Sequence, residues 1–210
     1  GLCVSLASVV AVQGTEGEVL HYAGIFHDIT ARKEDETRIW RQANFDALTG
    51  LPNRSMFNDR LDQAVTQASR DKARFAVAFV DLDGFKAVND TLGHAAGDLL
   101  LKETAQRLKK MLRASDTVAR LSGDEFTMIL HSGNPEGVAE VARRLIDSLT
   151  EPFLLDGKPA HVRASVGIAL FPAHGEDAES LLRRADAAMY RAKRNGKGRF
   201  EFAETEALPA

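Results

Sequence analysis

Two short acidic clusters are the groups in this 210-residue chain best suited to chemistry. Asp81 and Asp83 follow the apolar segment 75–80, and Asp124 and Glu125 form a turn between two further apolar segments. An unpaired carboxylate is rarely buried, because removing a charge from water costs on the order of several kcal/mol. The clusters are therefore either solvated strand ends or a site that holds a cation. Their oxygen atoms suit Mg²⁺, which takes one or two carboxylates together with substrate phosphates.

The spacing of these side chains favours one shared site. Side chains two residues apart on a strand share a face, so Asp81 and Asp83 point the same way if the strand continues, with the Leu82 carbonyl between them. A turn that brought Asp124 beside Asp81 would let a divalent cation clamp a triphosphate and polarise its α-phosphorus. Lys86 follows one helical turn later and could neutralise charge in the transition state. Because the chain has no G-x-x-x-x-G-K-[ST] motif, this would be a nucleotide site without a P-loop.

Several polar residues have both a structural and a functional interpretation. Asn89 and Asp98 flank a glycine-rich loop, and an amide with a carboxylate can read a guanine edge, but both types are common in turns and helix caps. Lys193 and Lys197 lie at a basic helix end, where cations either complement the helix dipole or bind phosphate. A lone histidine such as His94 is usually a surface or structural residue, and it has no partner at zinc-ligand spacing.

A further charged pair precedes the second acidic cluster. Five residues separate Asp116 from Ser122, and Arg113 lies three residues before Asp116, at the end of a predicted helix. Taken alone, such a pair is usually a surface ion pair worth between zero and about 1 kcal/mol.

Composition is that of an ordinary globular protein and argues against several function classes. Hydrophobic residues make up 44% and charged residues 27% of the chain, and the formal net charge of −3 gives no basic excess for nucleic acid. The single cysteine, Cys3, excludes a disulfide framework and a multi-cysteine zinc site. No apolar run approaches the roughly 20 residues of a membrane span, and segment 2–12 lacks a basic flank typical of a signal peptide. We expect a cytoplasmic fragment without direct membrane contact, from a longer protein that could still be membrane-anchored.

Hydrophobic periodicity predicts an alternation of helices and strands. Segments 2–12 and 19–29 are typical of two strands, and the polar helix 30–43 is interpreted as a connector that pairs with its own copy. Further helices are predicted at 55–69, 85–91, 96–112, 135–149 and 180–194, and further strands at 75–81, 162–171 and 199–202, with a hairpin at 117–131. A hairpin inside an alternating α/β pattern indicates a mixed or antiparallel sheet rather than a parallel one.

Together these motifs resemble the GGDEF family, the bacterial diguanylate cyclases. The resemblance covers about residues 46–202, and residues 1–29 are similar to the last two strands of a PAS sensor domain. The motifs are Asp46-Ala-Leu-Thr-Gly-Leu-Pro-Asn-Arg54, Asp81-Leu-Asp-Gly-Phe-Lys86, Asn89-Asp90, Gly93-His94, Gly97-Asp98, Arg113-x-x-Asp116, Ser122-Gly-Asp-Glu-Phe126, Ala164-Ser-Val-Gly-Ile168, and Ala185-Asp186 through Met189-Tyr190 to Ala192-Lys193.

The resemblance implies a fold, a reaction and an assembly. The fold would be α/β (α+β), an adenylyl-cyclase-like palm with a central, mostly antiparallel sheet flanked by helices. The reaction would join two GTP into cyclic di-GMP and two pyrophosphates, with Mg²⁺ or Mn²⁺, in a homodimer inhibited by its product. The expected organisation is a PAS-like end at 1–29, a signalling helix at 30–45, a GGDEF domain at 46–203 and a tail at 204–210. The alternative is a catalytically silent domain that binds GTP or cyclic di-GMP and regulates a linked phosphodiesterase or other partner.

The resemblance also implies a role for each matching residue. The metal ligands would be Asp81, the Leu82 carbonyl and Asp124; the catalytic groups would be Asp124 or Glu125 as proton acceptor and Lys86 as transition-state stabiliser. The substrate contacts would be Asn89, His94, Asp98, Gly123, Lys193 and Lys197. The inhibitory product site would be Arg113, Asp116 and Arg144. One position departs from the family pattern: Ser122 replaces the first glycine of the GGDEF motif. A serine there would be strained if the backbone needed a positive φ.

Overall fold

The structure is a computed structural model that describes residues 5–13 and 19–204. The chain divides into two compact units at the boundary between Ala43 and Asn44. In the first unit, β1 (Ser5–Gln13) pairs antiparallel with β2 (Val19–Asp28). The predicted turn at 14–17 and the start of the first predicted strand lie outside the described residues.

The connector helix α1 (Thr30–Asn44) follows β2. No residue of α1 is buried in the described structure, and Ile39 and Trp40 are exposed. Glu36 accepts hydrogen bonds from Arg32 and Lys33 at 2.9 Å each. Exposed pairs of this kind add only about 0.2–0.5 kcal/mol each to an isolated helix.

The second unit contains a five-stranded sheet with the order β4-β5-β3-β8-β9. All neighbours are antiparallel except β8 and β9. The remaining elements are α2 (Arg54–Asp71), β3 (Phe75–Asp83), α3 (Phe85–Leu92), α4 (His94–Met111), β4 (Thr117–Ser122), β5 (Glu125–Leu130), α5 (Pro135–Thr150), β6 (Phe153–Leu155), β7 (Lys158–Ala160), β8 (Arg163–Phe171), α6 (Ala178–Arg194) and β9 (Phe200–Phe202). The predicted mixed, mostly antiparallel sheet flanked by helices is confirmed.

The side chains of the central strand β3 alternate between the two sides of the sheet. Its even-numbered residues from Ala76 to Leu82 lie in the core cluster with α4 and α5, and Phe75, Val77 and Phe79 lie in the cluster with α2 and α6. This is the alternation of a strand buried on both faces. Since Asp81 continues the odd-numbered series, its carboxylate faces the side of the sheet that α6 covers.

Helix α6 packs directly on the backbone of β8 at Gly167. A Cβ atom at Gly167 would overlap backbone atoms of Ala185 and Met189 on α6. Glycine therefore allows the helix and the strand to approach each other. The next turn of α6 carries Lys193, which the close packing brings to the end of β3.

The elements predicted from sequence periodicity do not include one short hairpin, and a few predicted boundaries differ from those in the structure. The short hairpin β6–β7 has only three residues in each strand and turns through Asp156 and Gly157, both with positive φ. Helix α6 begins two residues earlier than predicted, because the Asp177 side chain accepts a hydrogen bond from the Ser180 amide and caps the helix. Arg113 lies just beyond α4 rather than at its end, since that helix finishes at Met111.

Among the described residues, no helix is both long and apolar enough to cross a membrane.

Candidate active site

The carboxylate of Asp81 is the centre of the candidate site. Asp81 lies near the end of β3, in register with Glu125 on β5 and with Ser165 on β8, and only 8% of its surface is exposed. The Lys193 ammonium lies 2.6 Å from its Oδ2 atom. The two residues are 112 positions apart in the sequence, and the packing of α6 on the sheet brings them together. Lys193 therefore lies in the last turn of α6 with its ammonium paired to a carboxylate at the end of β3 rather than left in solvent.

The turn between β4 and β5 places the second acidic cluster beside the first. Gly123 has a φ of 47°, whereas Ser122 is not among the described residues with positive φ. The serine at the first position of the motif is therefore not strained, and glycine is needed only at the second. The Ser122 hydroxyl donates a hydrogen bond of 2.8 Å to Oε2 of Glu125.

Negative charge at this end of the sheet exceeds the positive charge that opposes it. Burial raises the pKa of Asp124, and the charge of Asp81 raises it further. The pKa of Asp186 on α6 is also raised, by partial burial and then by the charge of Glu125. Sequence reasoning assigned no role to Asp186, although the Ala185-Asp186 motif was a signal for it. Lys193 is the cation that lowers the pKa of both groups, and it only partly compensates them.

The residues present are suited to a divalent cation. In the described parts of the chain, no three Asp, Glu, His or Cys side chains form a ready-made cage for a metal. Two carboxylates on Asp81 and Asp124 with one carbonyl on Leu82 nevertheless form a set that Mg²⁺ accepts, since it completes its shell with water and substrate phosphates. The excess of negative charge favours such an ion.

A separate ion pair supports the acidic turn. Arg120 donates to both carboxylate oxygens of Asp46, at 3.0 and 3.1 Å, and its Nε donates to the Gly123 carbonyl at 2.9 Å. Burial raises the pKa of Asp46, but hydrogen bonds from Thr49 and then from Arg120 outweigh it and hold the pKa below its ordinary value. We call Asp46, Thr49 and Arg120 the strut. Sequence reasoning placed Asp46 in a motif but did not identify its partner.

The candidate guanine-reading residues lie around the corner between α3 and α4. Asn89 is half-buried, and its side chain lies against Gly97, where a Cβ atom would overlap its Oδ1. Asp98 follows Gly97, and His94 begins α4; both are exposed. Lys86 lies in the first turn of α3 and is also exposed. The corner therefore brings the amide of Asn89 next to the helical turn that carries Asp98.

The loop after α6, which carries Lys197, is hydrogen-bonded to Asp83 at the end of β3. Lys197 has a φ of 61°, and the neighbouring Gly198 amide donates a hydrogen bond of 3.2 Å to Asp83 Oδ2. The strand continues through Asp83, as the shared face with Asp81 required. The Asp83 carboxylate, however, also accepts from the Ser165 hydroxyl, so it is already engaged by the protein.

The three candidate inhibitory residues line one cavity. Arg113, Asp116 and Arg144 border a space of about 200 Å³ between the loop after α4 and helix α5. Oδ2 of Asp116 accepts a hydrogen bond from the Arg113 amide at 3.1 Å, and Oδ1 accepts one from the His131 amide at 3.0 Å. These bonds fix the carboxylate, while the side chains of Arg113 and Arg144 are exposed. Two exposed guanidinium groups beside a fixed carboxylate suit a ligand that has both phosphates and a base edge.

Comparison with known proteins agrees with this architecture. The family described as "Diguanylate cyclase, GGDEF domain" matches residues 43–199. The chain is 48% identical to the bifunctional diguanylate cyclase/cyclic di-GMP phosphodiesterase MucR of Pseudomonas aeruginosa over 76% of its length, and 44% identical to diguanylate cyclase TpbB of the same species over 83%. It spans 23% of MucR and 41% of TpbB.

A solved structure supports the same relationship. The coiled coil and GGDEF domain of DgcB from Caulobacter crescentus, in complex with c-di-GMP, is 29% identical with a TM-score of 0.76, covering 83% of this chain and 93% of that one. The family match extends over most of the chain, and the fold and motif positions agree with it. The chain therefore belongs to the GGDEF diguanylate cyclase family.

Proposed function

We propose that this domain condenses two molecules of GTP into cyclic di-GMP and two pyrophosphates. The observation that supports this most strongly is the pair of acidic groups at the end of β3 and the β4–β5 turn, with Lys193 bound to Asp81 at 2.6 Å. A nearly buried carboxylate beside a second one with a raised pKa is an arrangement that a folded protein keeps where a cationic ligand binds.

Each GTP would be held by its base and by its phosphates. Asn89 and Asp98 at the α3–α4 corner would bind the guanine edge, with His94 as a further substrate contact. Lys193 and Lys197 would bind the triphosphate. Asp81, Asp124 and the Leu82 carbonyl would hold Mg²⁺ or Mn²⁺, which when bound would polarise the α-phosphorus and neutralise the leaving group.

The chemical step is an attack on phosphorus by a hydroxyl. The 3′-hydroxyl of one GTP forms a bond to the α-phosphorus of the other, and the bond from that phosphorus to the bridging oxygen of pyrophosphate breaks. Asp124 would accept the proton of the hydroxyl, with Glu125 as the second candidate. Lys86 would neutralise negative charge that develops on the phosphoryl oxygens.

The reaction requires two copies of the domain. One site holds one GTP, and the product contains two guanylates joined by reciprocal attacks, so two protomers must face each other across a two-fold axis. The exposed connector α1 would pair with its copy to favour that arrangement. Cyclic di-GMP would then bind at Arg113, Asp116 and Arg144 and inhibit the enzyme.

The test is incubation of the purified 210-residue chain with GTP and Mg²⁺, followed by product identification by mass spectrometry. We expect cyclic di-GMP and pyrophosphate in a ratio of one to two, and a specific activity that rises with protein concentration. Replacing residues 1–29 with a strong parallel coiled coil should raise activity at low concentration. Activity per protomer that stays constant far below the dimer dissociation constant would contradict the dimeric mechanism.

A second candidate is a silent regulatory domain that binds GTP or cyclic di-GMP without synthesis. Similarity to two proteins named only as cyclic di-GMP phosphodiesterases favours it: the chain is 38% identical to PdeR of Escherichia coli and 39% identical to NbdA of Pseudomonas aeruginosa, and it spans 26% and 22% of their lengths. Binding of GTP without any turnover, in a preparation confirmed to be dimeric, would support this candidate over the cyclase.

A further inference from the structure

The loop that carries Lys197 has an uncommon backbone. Three successive residues, Gly196, Lys197 and Gly198, have φ values of 114°, 61° and 58°. Glycine adopts this region readily, whereas a lysine does so rarely. A residue stays in such a conformation only when its surroundings determine it, and such positions concentrate where a protein holds a ligand.

Hydrogen bonds to three other elements hold this loop on the domain. The Lys197 amide donates to the Ala192 carbonyl at 3.1 Å, and the Val166 amide donates to the Arg199 carbonyl at 2.9 Å. The third bond runs from the Gly198 amide to Asp83 Oδ2 at 3.2 Å. The first two join backbone to backbone, and the third ends on the Asp83 side chain; beside them the Arg199 guanidinium donates to the Asn195 carbonyl at 2.8 Å.

Asp83 is itself held in place on the sheet. The Ser165 hydroxyl lies 3.0 Å from its Oδ1 and 2.8 Å from its Oδ2, and Ser165 is completely buried on β8. The carboxylate thus joins the end of β3, the neighbouring strand and the lysine loop. A charged acceptor makes a stronger hydrogen bond than a neutral one, so this contact restrains the loop effectively.

We propose that Asp83 is a positioning residue that orients Lys197 toward the triphosphate of GTP. This inference rests on the proposed function, because Lys197 is a phosphate contact only if GTP binds there. Asp83 and Lys197 line the same cavity of about 420 Å³, with Thr150 at the end of α5 and His161, Val162 and Arg163 around the start of β8 among its other walls; Asp81, Asp124 and Lys193 are not among its lining residues. Asp83 acts on the substrate through the loop and does not bind the phosphates, which its own negative charge would repel.

A double-mutant cycle tests the inference with Asp83→Ala, Lys197→Ala and the combined variant. The dissociation constant for GTP is measured by calorimetry with Mg²⁺ present, and KM and kcat are measured separately. We expect each single change to weaken GTP binding about tenfold and the double change to weaken it no more than Lys197→Ala alone, because coupled residues are not additive. The KM should rise more than kcat falls.

Two further variants separate positioning from general loss of structure. Asp83→Asn keeps an oxygen that can accept from the Gly198 amide, and it should restore most of the affinity that Asp83→Ala loses. Asp177→Ala is the matched control, since Asp177 also accepts from a backbone amide and a serine hydroxyl, but at the other end of α6. It should lower the melting temperature without changing the affinity for GTP.

Additive losses in the cycle would overturn the inference, because they would show that Asp83 acts independently of Lys197, for example on the metal. A loss of affinity in Asp177→Ala equal to that in Asp83→Ala would also overturn it. A wild-type domain that binds GTP but makes no cyclic di-GMP would contradict the cyclase proposal alone, and the binding cycle would still decide the role of Asp83.

Discussion

The end of β3 and the strut contain the same kinds of charged group in opposite electrostatic states. At the strut, Asp46 accepts hydrogen bonds from Thr49 and Arg120, and its pKa is lowered. At the end of β3, burial and then the charge of Asp81 raise the pKa of Asp124, and Lys193 compensates them only in part. A carboxylate whose partners satisfy it stabilises the fold, whereas one left with excess charge is available for a ligand. The two regions therefore differ in whether the protein itself compensates the charge of the carboxylate.

Removal of the acidic groups at the end of β3 is expected to have the largest effect, and it tests whether these carboxylates hold a cation needed for synthesis. Asp81→Ala and Asp124→Ala should each reduce synthesis of cyclic di-GMP by more than about a hundredfold, because each removes a ligand of the cation that activates the phosphorus. Circular dichroism should show an unchanged fold. Either variant retaining a substantial fraction of wild-type turnover would show that the metal assignment is wrong.

Substitutions at the α3–α4 corner test whether the proposed site distinguishes guanine from adenine. Asp98→Ala and Asn89→Ala should weaken GTP binding by about 10- to 100-fold while weakening ATP binding much less, because a polar edge that loses its partner discriminates strongly between purines. Competition binding with both nucleotides measures this difference. Equal losses for GTP and ATP would remove the guanine-reading role from the α3–α4 corner.

Substitution of Asp46 tests whether the strut stabilises the fold. Asp46→Ala leaves the partly buried Arg120 without its carboxylate, so the free energy of unfolding should fall by about 2 kcal/mol in urea titrations. Activity should also fall, since Arg120 supports the Gly123 carbonyl in the acidic turn. An Asp46→Ala variant as stable as wild type would show that the pair does not support the fold.

The strut also predicts how stability depends on pH. The pKa of Asp46 is lower in the folded state than in the unfolded chain, so its contribution is fully present above the unfolded value and is lost as the pH falls through the folded value. Below about pH 4 the wild type should lose stability more steeply than Asp46→Asn, which cannot be protonated there. Parallel slopes for the two proteins would contradict the lowered pKa.

The proposed inhibitory cavity contains both a carboxylate that the protein satisfies and a charged side chain that is exposed to solvent. Its carboxylate on Asp116 is satisfied by two amides, yet the Arg113 side chain remains exposed for an anion. Arg113→Ala should therefore raise the inhibition constant of cyclic di-GMP by about tenfold or more, because it removes a bidentate phosphate donor. Unchanged inhibition in titrations with this variant would refute the assignment.

The smallest effect is expected at Ser122. Because this position has no positive φ, Ser122→Gly should change kcat by no more than about threefold, with its main effect through the lost hydrogen bond to Glu125. A much larger gain in activity would show that the serine restrains a catalytic carboxylate.

Local patterns in the sequence predicted much of the fold and of the candidate site. The continuous apolar run of residues 75–80 and the helical spacing after residue 96 located β3 and α4 to within a few residues, because a strand buried on both faces is apolar throughout and a helix buried on one face is apolar at every third or fourth residue. The glycine-marked acidic turn was likewise visible. The short hairpin β6–β7 was missed, because strands of three residues are too short to show such a pattern.

By itself, the amino-acid sequence determined which groups are available for chemistry: two acidic clusters, an amide and a carboxylate proposed to read guanine, and a basic helix end. Only the tertiary structure decided which of the charged groups are satisfied. Asp46 meets Arg120 across 74 residues, and Asp83 meets Ser165 across 82 and Gly198 across 115, whereas Asp124 remains beside Asp81 with incomplete compensation. The physical reason is that propensity and periodicity are local, whereas the solvation and pairing of a charge depend on neighbours that only the folded chain brings together.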